Sequence, residues 1–326
     1  MNPPERLAPP ALGVEPTPAQ IADDLRAWLN DSVLVDLVAR FDGPRPSADG
    51  LDLAELHAWS ARSWDFRAGR ERNLVDPDVV SGSLEAEVVE AAQLLGLVDP
   101  VPPRFRHYDF VLMLGGLVRA CVWRPEYAAH LLRSGVTADA VYAVSGFREL
   151  NAAEVELLPT FGLEGLRQEH QVMDRALQTH FGAREMRDVV SIDPADEPNL
   201  RKRVALGATA SGLPVGLVVA PSRDATRRAN TPDSYFYWAH DVAHVAAGQR
   251  VLMVTSTIYV PFQHTDAVRM LGLPHGCVID TVGIDTTKID ERGEPQVFRG
   301  VNYLQELNST IRSLKLLADT LAEPAP

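Results

Sequence analysis

The chain lacks most of the features that would assign it quickly. Among 326 residues there are only two cysteines, Cys121 and Cys277, both in apolar surroundings, which excludes a disulfide framework and predicts buried free thiols. No run approaches the ~20 apolar residues of a membrane-spanning helix, so no membrane partner is expected. Basic residues are outnumbered, 31 Lys and Arg against 44 Asp and Glu, for a formal charge of −13. That balance excludes the broad basic footprint that nucleic-acid binding needs, but leaves room for a small anion held by a few local arginines. There is no GxGxxG turn, which disfavours NAD, and neither a GxSxG elbow nor a legible Ser/His/Asp order. The proline-rich start (Pro3-Pro4, Pro9-Pro10) has no basic and apolar leader pattern, so a cytosolic protein is expected, with disordered tails at 1–16 and 322–326.

What the chain does have is a 46% hydrophobic content arranged in short blocks. Four apolar runs end alike: Phe110–Leu114 into Gly115-Gly116, Ala140–Val144 into Ser145-Gly146, Val215–Ala220 into Pro221-Ser222, and Val251–Val254 into Thr255-Ser256. Valine- and leucine-rich runs without polar alternation fit parallel strands covered on both faces. Small residues where strands stop let a ligand approach the backbone at the carboxyl edge, where open α/β sheets bind. Helical patterns intervene, and a fifth strand at Cys277–Val282 precedes an amphipathic helix at Asn302–Leu321. The segment Val189–Leu206 is polar and assigns neither helix nor strand.

Residues 17–97 read as helical. Thr17 and Pro18 form an N-cap and first-turn proline, and Ile21, Leu25, Trp28 and Leu29 follow at helical spacing. Trp28, Trp59 and Trp64 read as core. The expected organisation is a helical cap domain at 17–103, a Rossmann-like α/β domain with a doubly wound, mostly parallel sheet at 104–300, and a C-terminal helix at 301–321.

Four motifs carry candidate chemistry. Gly115-Gly116 and Ser145-Gly146 offer backbone N–H groups to a ligand. Asn230-Thr231-Pro232-Asp233 opens a helix with Thr231 as N-cap, leaving Asn230 free to bind, behind the arginines Arg223, Arg227 and Arg228. Asp233 in that turn would oppose a strongly charged phosphate. His240 and His244 stand four apart, as zinc ligands do on a helix. No third ligand is evident, although His264, Glu169 and Asp266 could be brought near by folding, so no metal is expected. Glu169, in Gln168-Glu169-His170-Gln171-Val172-Met173, lies beside an apolar face and is the candidate general acid/base.

Together these residues resemble the bacterial YdcF/SanA/ElyC family over roughly Tyr108 to Gly283. The likeness rests on the Gly115-Gly116 turn; on Arg124, Ala128, Ala129 and Gly135; on Ser145-Gly146; on Glu169 to Met173; on Asn230 to Ser234; and on Val254-Thr255-Ser256. Tyr259, Gln263, Asp233 and Ser234 depart from it. The resemblance implies a Rossmann-like fold and an adenosyl or nucleotide-like ligand, S-adenosylmethionine among them, with Thr255 and Ser256 in the ligand set. Three functions follow as expectations. The first is a small-molecule-binding protein, with or without turnover, using Gly115, Gly116, Ser145, Gly146, Asn230, Thr231, Thr255 and Ser256 around Glu169. The second is a phosphate or ester hydrolase, with His240 and His244 holding a metal if one assists. The third is a non-catalytic interaction protein. Oligomeric state is not legible.

Overall fold

The computed structural model describes residues 17–66, 76–290, 292–293 and 295–322. The expected tails lie outside these residues, apart from Ala322, which ends the last helix. Four helices come first: α1 (Pro18–Leu29), α2 (Ser32–Arg40), α3 (Leu53–Ser63) and α4 (Ser83–Leu94). Then follow β1 (His107–Leu114), α5 (Val118–Arg133), β2 (Thr137–Ser145), α6 (Ala152–Phe161), α7 (Glu169–Phe181), β3 (Arg184–Val190), β4 (Arg203–Ala208) and β5 (Pro214–Val219). The chain continues through α8 (Thr231–Tyr237), β6 (Arg250–Thr255), α9 (Val260–Ala267), α10 (Leu273–His275), β7 (Val278–Gly283) and α11 (Gly300–Ala322). Two compact units result. One contains the residues up to Pro100, Thr257–Arg269 and the stretch from Gln296; the other contains Val101–Ser256 and Met270–Pro295.

The first unit is helical. Thr17 caps α1, its hydroxyl accepting the Gln20 N–H at 3.2 Å, and Pro18 takes the first turn, where its missing N–H costs nothing. Leu304, Leu307, Ile311, Leu314 and Leu317 of α11 are fully buried, and α11 packs on α1, α3, α4 and α9. The start of α11 is tied to α4 by Arg299, which donates to both oxygens of Glu85 at 2.5 and 3.0 Å. Trp28 and Trp64 are core residues, with Trp59 edge-on to Trp64 at 4.7 Å. Residues 257–269, expected with the sheet, group with this unit.

The second unit is a mixed α/β fold around a seven-stranded, mostly parallel sheet of order β3-β4-β5-β2-β1-β6-β7. The four pairings from β5 across to the edge strand β7 (β2·β5, β1·β2, β1·β6 and β6·β7) are parallel. Both faces are covered, which is why these strands read as unbroken apolar runs. Val111, Met113, Val141, Ala143, Leu217 and Val219 pack with α5 and α7 on one face. On the other, Trp238, just after α8, meets the rings of Phe110 and Tyr142 at 5.5 and 5.9 Å.

The unassigned segment Val189–Leu206 holds the end of β3, the connection 191–202 and most of β4, and β4 runs antiparallel to both β3 and β5. The two strands extend one side of the sheet, and within β4 only Val204 and Ala205 are buried, so no long apolar run marks them. Because Arg203 at the start of β4 pairs with Val219 at the end of β5, the connection 191–202 comes out at the carboxyl edge of the parallel strands. Gly216 in β5 makes room for Tyr142: a Cβ there would stand 2.5 Å from the ring. Since Phe110 and Trp238 hold that ring, Gly216→Ala should destabilise the protein by about 1–3 kcal/mol, the usual cost of overpacking. Urea unfolding of the full chain measures this.

Candidate functional site

The ends of β1, β2 and β5 open into a cleft of ≈ 950 Å³. Its floor is Gly115, Gly116, Ser145 and Gly146, the N-terminus of α7 contributes Gln168 and Glu169, and the segment 227–231 forms one wall. The connection 191–202 supplies Ile192, Pro198, Asn199 and Arg201 as another wall. Asn199 ties the 191–202 connection to the chain leading into the 227–231 wall, its carbonyl accepting from Ser222 N–H and its side-chain amide donating to the Ala225 carbonyl, both at 2.8 Å.

At the base of the cleft lies an ionic cluster, with Arg148 and Glu169 on the lining and Glu154 behind them. Arg148 follows β2 and donates Nε to Glu169 Oε2 at 2.9 Å. Its two Nη groups grip Glu154 of α6 at 2.6 and 2.8 Å, and Nη2 also reaches the Gly116 carbonyl at 2.9 Å. Glu154 further accepts the N–H groups of Val118, which opens α5, and of Asn151. Ser145 Oγ donates to Glu169 Oε1 at 3.0 Å. Gly115 has to be glycine, since a Cβ there would collide with that same Oε1.

The two carboxyls live in different environments. Burial works against the charge of Glu154, but Arg148 and the two backbone N–H groups hold it below the usual carboxylate range. For Glu169 burial wins over Arg148 and Ser145, and pushes its carboxyl up. Two acids set apart by their surroundings divide into a permanent anion and a group able to exchange a proton. Only Glu169 lines the cleft.

The structure brings together Gly115, Gly116, Ser145, Gly146, Glu169, Asn230 and Thr231 on the cleft. Thr255 and Ser256 are not on it. Thr255 is fully buried, and Ser256 Oγ accepts from Arg124 Nη2 at 3.2 Å. Arg124, 1% exposed, also donates to the Leu114 and Gly115 carbonyls. Its guanidinium therefore fills the crevice between β1 and β6, where the strand order reverses. His240 and His244 do not share a helical face. The helix widens into a π turn at Trp238–Val242 and ends, His244 takes φ +50°, and His240 stacks on Phe236.

Sequence reasoning missed Arg148, Glu154, Asn199 and Arg201. Arg148 lies two residues past Ser145-Gly146, and the pattern Asn151-Ala152-Ala153-Glu154 is a capping-box signature. The two wall residues carried no signal, because their segment showed no period.

Over residues 13–96 the chain matches the family described as the Rv3785 N-terminal domain. Along its length it is similar to Uncharacterized protein Rv3785 and Uncharacterized protein MT3893 of Mycobacterium tuberculosis, and to Uncharacterized protein Mb3814 of Mycobacterium bovis. Each is 28% identical over 333 residues, covering 94% of this chain and 92% of the relative. No solved structure matches. These findings correct the resemblance to the YdcF/SanA/ElyC family, to which nothing in the chain matches. The motifs behind it are strand ends and a helix start that open α/β sheets share for physical reasons, so their order recurs without kinship. S-adenosylmethionine, expected through that resemblance, loses the support it had.

The helix start at α8 also needs correction. Asn230, not Thr231, is the N-cap: its side chain accepts the Asp233 N–H at 3.0 Å, and Asp233 accepts the Asn230 N–H at 2.9 Å. Threonine lost the position because Asp233 stands three residues after Asn230, completing a reciprocal box. Asn230→Ala should therefore lower stability by about 0.5–2 kcal/mol, while Thr231→Ala, one position inside the helix, should cost only a few tenths. Denaturant unfolding of the two variants tests the order.

Proposed function

We propose that the α/β unit binds a small polar molecule carrying an anionic group, a nucleotide being one ligand of this kind. The observation that carries the reading is charge. Four arginines (Arg148, Arg201, Arg227, Arg228) and two glutamates line one cleft in a chain of net charge −13. Arg148 and Arg227 are committed to carboxylates, Arg227 gripping Asp233 at 2.5 and 3.2 Å. Arg201 pairs with no carboxylate among the described residues, and its Nε donates only to the Asp196 carbonyl at 3.3 Å. A guanidinium with its fork available is suited to a phosphate or carboxylate. Asp233 no longer opposes an anion, because Arg227 neutralises it: burial acts against its charge, but the ion pair holds it below the usual range.

A second reading, hydrolysis of a phosphate or ester, draws support from one observation: a buried carboxyl, Glu169, sits on the cleft wall beside a serine. The geometry gives the metal-assisted form through His240 and His244 no support. Two free, buried thiols fit the reducing cytosol.

The test is a thermal-shift panel with inorganic phosphate, AMP, citrate and S-adenosylmethionine at millimolar concentration. At about 100-fold excess over Kd a ligand adds roughly 2.7 kcal/mol, a rise of a few degrees. Arg201→Ala should reduce the shift and leave the unliganded melting temperature in place. No shift with any of the four would move the weight to a non-catalytic interaction protein.

A further inference from the structure

Glu169 has two oxygens with different partners, and the difference decides where a proton can sit. Oε2 accepts from Arg148 Nε at 2.9 Å, a cation whose other donors go to Glu154, Gly116 and Glu149. A proton there would face a guanidinium. Oε1 faces the Ser145 hydroxyl at 3.0 Å, and a hydroxyl can turn from donor to acceptor. Ser145 is at once the partner of Oε1 and part of the cleft floor. Its single hydrogen serves one side at a time.

We propose that Ser145 is a proton-controlled relay for anion binding. When Glu169 carries a proton on Oε1 it donates to Ser145 Oγ, and the Ser145 hydroxyl turns its own hydrogen into the cleft, onto an oxygen of the anionic ligand. With Glu169 ionised, that hydrogen is spent on the carboxylate and the ligand meets lone pairs and a negative charge. Glu154, Arg148 and Glu169 sum to −1 in that state and to zero when Glu169 is protonated, so an anion binds with uptake of one proton. This deepens the anion-site reading and rests on it.

The groups around Glu169 do not supply an alternative proton. Arg148 and Glu154 form its ion cluster, and Cys121, with Arg124 beside it, faces it from α5, the thiol pushed up by burial and by Glu169 itself. On its own helix, burial followed by Arg203 holds His170 down to about 4, so it is neutral across the relevant range. The remaining cleft charges are Glu149 and the arginines Arg201, Arg227 and Arg228. Burial, which pushes the Glu169 carboxyl up, brings its proton exchange toward that range.

The experiment uses sulfate as probe, because it stays dianionic from about pH 5.5 to 8.5 while the groups of interest titrate. Its affinity for the full chain is measured by calorimetric or thermal-shift titration across that range. Wild type should bind more weakly as pH rises, approaching about tenfold per pH unit once Glu169 is ionised in the free protein. Glu169→Gln, whose amide can donate to Ser145 Oγ at every pH, should bind with an affinity that no longer changes with pH. Ser145→Ala should lose the tight low-pH binding while keeping its circular dichroism spectrum. Sulfate binding that is flat with pH in wild type, or equally pH-dependent in Glu169→Gln, overturns the relay and leaves the anion site standing. If Glu169→Gln does not fold, Ser145→Ala decides, and unchanged low-pH binding in it overturns the relay. No sulfate binding to wild type at any pH takes down both.

Discussion

One guanidinium holds the floor of the cleft together. Arg148 joins the turn after β1 through the Gly116 carbonyl, α6 through Glu154 and α7 through Glu169, while itself standing on the end of β2. Through Glu154 the same cluster reaches the first N–H of α5. Five pieces of chain are fixed by one side chain. Without it two carboxylates would remain buried and unpaired, and breaking a buried pair from one side costs about 3–5 kcal/mol, several times a helix cap. The cluster fixes position more than it adds net stability, because desolvating three charges offsets much of their attraction.

A second arginine decides which part of the sheet edge is open. In sheets of this kind the crevice where strand order reverses receives the ligand. Here that crevice, between β1 and β6, is occupied by Arg124, which spends its guanidinium on two carbonyls of the β1 turn and on Ser256. The open space is displaced toward β2 and β5, where the antiparallel β4 turns the 191–202 connection onto the carboxyl edge as a wall.

These two arginines explain what the sequence could and could not show. The parallel strands were legible because burial on both faces leaves an apolar run, and α1 was legible because Thr17 and Pro18 are local signals. Gly115, Ser145 and Glu169 were legible because strand ends and helix starts mark the carboxyl edge. Thr255 was read by the same rule, yet it is buried, and the side chain that closes its crevice, Arg124, comes from the second turn of α5. β3 and β4 showed no period because they lie on one side of the sheet with exposed positions and register shifts between them. The α8 cap was misread by one residue, because Asn, Thr and Pro stand in succession and only the reciprocal contact to Asp233 chooses among them.

The electrostatics of the cleft follow from how completely its charges are spent. Arg227 is bound to Asp233, and Arg148 to Glu154 and Glu169, so two of the four arginines contribute little field beyond their partners. Arg201 is different, and it sits on a wall built by an irregular connection rather than on a strand or helix. In the proposed site, attraction for an anion would therefore come from a half-buried cation at the rim, screened by solvent, and would be modest in size. Discrimination has to come from the floor, where Ser145, Gly115 and Glu169 are packed so closely that no Cβ fits at Gly115. A hydrogen bond in that setting is directional and poorly screened, and its sense depends on a single proton. In the proposed site the rim would gather anions of many kinds, and the floor would select by which atom accepts a hydrogen.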